Sequence, residues 1–114
     1  MAIIEFKKAL LATIAAHFPA ASVEILERRT TILQARVSID EETFIEVYFN
    51  SLTGKKSYSL IFRGQRVMGY DNYKFWHYHP FDKPEEHIPC EEPDVEDVIA
   101  EMKAIVKRLG AAKS

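Results

Sequence analysis

Two rhythms of apolar and polar residues divide this chain. Ile3, Phe6, Leu10, Ile14 and Phe18 recur every three or four positions, with Leu11 and Ala15 widening the stripe. That spacing predicts an amphipathic helix over residues 3–18, ended by Pro19. His17 falls in its last turn and reads as a helix-terminal surface residue. From Val23 the period drops to two. Val23 and Ile25 alternate with polar neighbours, as do Leu33, Ala35, Val37 and Ile39. The pattern repeats at Ile45, Val47 and Phe49 and at Tyr58, Leu60 and Phe62. Polar or glycine-bearing turns fall at 28–30, 40–42, 50–54 and 63–66. Residues 67–73 are predicted as the last strand, with Gly69 marking a bulge or a close backbone approach.

The helical period returns after Asp94. Val95, Val98, Ile99, Met102, Ile105, Val106 and Leu109 trace one stripe, with Asp94 as its N-cap and Gly110 as its C-terminal cap. Strands joined by such short turns must pair antiparallel, because parallel pairing needs a crossover of about a dozen residues. The expected architecture is therefore α+β. An antiparallel sheet of four to five strands forms a meander, with the N- and C-terminal helices packed on one face. Residues 1–114 are read as a single domain.

Composition narrows the function classes. Apolar residues make up 47% and charged residues 28%, and the formal net charge is -2, so any nucleic-acid contact must come from a local patch. No apolar run approaches the roughly 20 residues of a membrane span, and no signal peptide is evident. The single cysteine excludes an internal disulfide and suits a reducing compartment. A cytoplasmic protein with no membrane partner is expected. The predicted last strand could pair across a two-fold axis, which would give a homodimer.

The chemistry is concentrated in residues 70–93, which read Y-D-N-Y-K-F-W-H-Y-H-P-F-D-K-P-E-E-H-I-P-C-E-E-P. This stretch holds His77, His79 and His87, the only tryptophan, the only cysteine and four prolines. The prolines predict an irregular segment. His77 and His79 lie two apart, so on an extended backbone both imidazoles face one side. A metal bound there would draw on His77, His79, His87 and Cys90, with Asp71 as a further donor.

The competing reading needs no metal or other cofactor. RNA cleavage to a cyclic phosphate needs a base on the 2′-hydroxyl, an acid on the leaving oxygen and a cation at the phosphate. His77, His79 and His87 are the imidazole candidates. Arg63, Arg66 and Lys74 offer charge, while Tyr70, Trp76 and their aromatic neighbours offer stacking surfaces. Glu85, Glu86, Glu91 and Glu92 work against phosphate and suit a basic protein partner better.

The run from Ile45 to Phe62, the V-M-G-Y-D-N step at 67–72 and the histidines beyond resemble the TumE-like toxin family of type II toxin–antitoxin modules. The resemblance covers roughly residues 43–109, and its most specific part is Tyr70-Asp71-Asn72 followed by His77 and His79. It implies a growth inhibitor acting on RNA, a possible ribonuclease, neutralised by a helix-turn-helix antitoxin encoded beside it. Tyr70, Asp71, Asn72, His77, His79 and His87 carry over as positions. On this reading His87 and His79 act as acid and base, Asp71 orients an imidazole and Arg66 holds phosphate. Two positions depart from the family pattern. Gly69 stands where an arginine is usual, and Pro84-Glu85-Glu86-His87 stands where a histidine cluster is usual. The alternative is a non-catalytic interaction domain that docks through residues 70–93, with Phe75, Trp76 and Tyr78 as an exposed patch.

Overall fold

The computed structural model describes residues 2–113. Nine elements follow one another: α1 (Ile3–His17), β1 (Ser22–Arg28), β2 (Ile32–Ser38), β3 (Thr43–Asn50), β4 (Lys56–Phe62), β5 (Gln65–Asp71), β6 (His77–His79), β7 (Ile88–Pro89) and α2 (Val95–Lys113). The strands pair antiparallel in chain order, so the meander is as expected but has seven strands rather than four to five. The two additional strands lie inside the stretch read as irregular. β6 is only three residues long and stops just before Pro80, while β7 is two residues long and contains Pro89. Proline is tolerated there because β7 is an edge strand, where a missing amide need not break the ladder.

One face of the sheet and one face of each helix share a core. Phe6, Leu10 and Ile14 of α1 meet Leu33, Val37, Ile45, Val47, Tyr58, Leu60 and Met68, joined by Val98, Ile99, Met102 and Ile105 of α2. α1 stops where Phe18 donates its amide to the Ile14 carbonyl, just before Pro19. His17 is not simply a surface residue. Its Nε2 lies 2.7 Å from Glu96 Oε1 and ties the end of α1 to the start of α2. Asp94 caps α2 as expected, accepting a bond from the Glu96 amide at 3.4 Å. Gly110 does not end the helix, which runs on to Lys113, and Ser114 lies outside the described residues. Among the described residues, no helix is long and apolar enough to cross a membrane.

The turn after β4 is tighter than the four residues predicted. Only Arg63 and Gly64 separate the paired Phe62 and Gln65, both at positive φ (52° and 79°), the geometry of a two-residue hairpin turn whose twist matches its strands. Arg63 is held there by an ion pair with Glu42. Gly69 marks the close approach and not the bulge. Leu60 pairs with Met68 and Ile61 with Arg66, so the extra residue is Val67. At Gly69 an added Cβ would sit 2.6 Å from the Tyr58 carbonyl oxygen. Residues 67–71 also lie in an interior strand, between β4 and β6, so that stretch offers no free edge for dimer pairing; the sheet's edges are β1 and β7.

Candidate functional site

The strand alternation sorts residues 70–79 onto two faces. Tyr58, Tyr70 and Tyr78 are cross-strand partners on the helix side. Asp71 pairs with His77, and Gly69 with His79, on the side away from the helices. β6 thus presents His77 and His79 together, and the segment after it folds back over them. His79 is 1% exposed and His77 5%, both unusually buried for imidazoles on the sheet face opposite the helices.

Asp71 stands between the two rings. His79 Nε2 lies 2.8 Å from Asp71 Oδ2, and His77 Nε2 lies 2.9 Å from Oδ1. Their other nitrogens face backbone carbonyls: His77 Nδ1 is 3.0 Å from Phe75 O, and His79 Nδ1 is 3.1 Å from Pro84 O. All of these oxygens are acceptors, but Arg66 Nη2, which can only donate, also lies 3.3 Å from His79 Nδ1, so that nitrogen either donates to Pro84 O or accepts from Arg66. Burial alone would raise the pKa of Asp71. The hydrogen bond from His79, that from the Tyr73 amide and the positive charge of both imidazoles outweigh burial and hold the carboxyl below the usual carboxylate range.

His87 completes the cluster. Its ring centroid lies 4.6 Å from that of His79 and 5.0 Å from that of His77, and it is the exposed member of the three. Arg66 crosses from β5 to the same place. Its Nη2 donates to the Pro84 carbonyl at 3.3 Å and lies 3.3 Å from His79 Nδ1. Gly69 contributes to this path, because a Cβ there would come within 3.4 Å of Arg66 Cδ.

Asp71, His77, His79, His87 and Arg66 therefore converge. The remaining sequence candidates lie elsewhere. Tyr70 donates to Glu101 Oε1 at 2.8 Å on the helix face. Burial first, then that bond to Glu101, pushes its hydroxyl well above the ordinary phenol range. Asn72 braces the β3–β4 connection: its side-chain oxygen accepts from the Lys56 amide and its amide donates to Gly54 O, each at 2.8 Å. Trp76 lines a hollow of about 210 Å³ with Asn72, Lys56 and Glu92. Arg63 is occupied by Glu42, and Lys74 lies over the Tyr73 ring. Cys90 follows Pro89, the partner of His77, and its amide donates to the Trp76 carbonyl, so the strand alternation places it toward the helix face.

Glu101 was not anticipated from sequence. It accepts from both Tyr70 and Tyr78, the latter at 2.5 Å, and anchors β5 and β6 to α2. Burial and this carboxylate together push the Tyr78 hydroxyl up to about 12. Its sequence signal is a carboxylate three residues after Val98 and four before Ile105, on the flank of the apolar stripe.

A groove of about 530 Å³ runs over the open face, lined in part by Gln34, Arg36, Glu46, Tyr48, Ser57 and Ser59. Ser57 and Ser59 pair with Asp71 and Gly69, so the groove leads toward the histidine cluster.

The family model described as Toxin TumE matches residues 7–109 of the chain. No curated protein and no solved structure matches it.

Proposed function

The chain belongs to the TumE toxin family, and on that premise we propose that it is a growth-inhibiting ribonuclease of a type II module, held in check by a helix-turn-helix antitoxin. The observation that carries this reading is the convergence of three imidazoles, a carboxylate and an arginine on the open sheet face. His87, the exposed ring, takes the 2′-hydroxyl proton, and Arg66 meets the charge that develops on the phosphate. Asp71, His77 and His79 form a buried base that fixes where His87 rests. His79 gives a proton to the leaving oxygen only after the turn at Pro84 lifts away from its Nδ1, with His87 staying in place. The open-face groove offers a bed for a single strand, with Tyr48 as a stacking surface.

A second reading rests on Tyr73 and Phe75, which are 65% and 55% exposed. On it the chain is a non-catalytic docking domain. Its patch overlaps the one read from sequence only at Phe75, since Trp76 and Tyr78 are half-buried.

His87→Ala separates the two readings. The residue is exposed, so stability should change by no more than about 0.5 kcal/mol. Induced expression of the wild type is expected to arrest bacterial growth, and His87→Ala at equal soluble level to restore it. Arrest that persists in His87→Ala would remove this imidazole from the activity and favour docking.

A further inference from the structure

The hydrogen bonds that orient His77 and His79 also suit them to a metal ion. His77 sets Nδ1 against Phe75 O, and His79 sets Nδ1 against Pro84 O, a position that Arg66 Nη2 shares at 3.3 Å. A metal-binding imidazole is commonly fixed in this way, with one nitrogen donating to a carbonyl or carboxylate and the lone pair of the other left for the ion. Here both Nε2 atoms aim at the same place, the two oxygens of Asp71, at 2.9 and 2.8 Å. These spacings are close to the roughly 3.3 Å that separates ligand atoms around a tetrahedral ion with bonds of about 2.0 Å. His87 supplies a third nitrogen, and one ligand atom from each of the three histidines lies within 4.8 Å of the others.

We propose that His77, His79, His87 and Asp71 bind one divalent transition-metal ion. Three imidazoles and one carboxylate suit zinc and its neighbours, not magnesium or calcium, which take all-oxygen shells. The ion sits where the imidazole N–H groups now meet Asp71, and His87 closes the site by a small rotation that its exposure permits. Cys90 takes no part, because strand alternation after Pro89 places it toward the helix face. On the ribonuclease reading, the ion and proton transfer compete for the same nitrogens, so metal occupancy silences the toxin.

Chelator-stripped full-length protein titrated with zinc chloride in a calorimeter tests the site without RNA. One zinc ion per chain is expected, with affinity at least tenfold weaker in His87→Ala and unchanged in Cys90→Ala. His87→Ala serves as the principal variant because its side chain is exposed, whereas Asp71 variants risk the fold. Absence of stoichiometric uptake, uptake indifferent to His87→Ala, or uptake dependent on Cys90 would each overturn the assignment. The ribonuclease reading would survive such a result, since binding is read on the protein alone.

Discussion

Asp71→Ala is expected to lose growth arrest by at least about 100-fold and to destabilise the fold by about 3 kcal/mol. The carboxylate is the common acceptor for two imidazoles that are almost wholly buried. Removing it takes from two buried imidazoles the acceptor they share, a larger penalty than the net worth of the pairs themselves. Asp71 does not reach substrate. It is a positioning residue, so Asp71→Asn, which keeps one acceptor oxygen, should retain more stability than Asp71→Ala. Urea unfolding checks the order. The carboxyl is held below its ordinary value of 3.8, so its contribution is full above that pH. It is lost as pH falls through the depressed value, and wild type and mutant should converge in stability at strongly acid pH. Equal stability of Asp71→Ala and wild type at pH 7 would show that the cluster is not a linked unit.

The second large effect is expected at Gly69. Its backbone conformation is ordinary, and the constraint is space: a Cβ would stand 2.6 Å from the Tyr58 carbonyl oxygen. A backbone atom in a sheet ladder cannot swing aside as a flexible side chain can. Gly69→Ala should therefore cost about 2 kcal/mol by forcing β4 and β5 apart. It should also disturb Arg66, whose Cδ would lie 3.4 Å from the new methyl group. Gly69→Arg, whose Cβ meets the same carbonyl oxygen, should cost at least as much. Thermal unfolding of both variants measures this. A melting temperature unchanged in Gly69→Ala would mean that the strands have more freedom here than their register indicates.

The hydrophobic rhythm made α1, α2 and the first five strands legible, because each presents a regular face to one core. It could not reveal β6 and β7. Two- and three-residue strands carry too few alternations to detect, and Pro80 and Pro89 point away from regular structure although both sit where a strand end or edge tolerates them. The histidine pair was legible as two rings on one side of an extended segment. Its tie to Asp71 depended on the register of β5 against β6, which local pattern does not specify. Arg66 was legible only as a charge near a turn. Its reach to His79 depends on the Val67 bulge and on the space left by Gly69, both properties of the assembled sheet. Asn72 illustrates the opposite limit. It sits in the step on which the family resemblance leaned most, yet its side chain is engaged by the backbone of the neighbouring hairpin.

The most direct test of the central claim is the chemistry of the RNA ends left by the purified chain. Single-stranded RNA incubated with metal-stripped protein is expected to be cut to 2′,3′-cyclic phosphate and 5′-hydroxyl ends. His87→Ala should cut about 100-fold more slowly or worse. RNA left intact at protein levels that arrest growth, or cutting undiminished by His87→Ala, would contradict an imidazole-driven ribonuclease on this sheet.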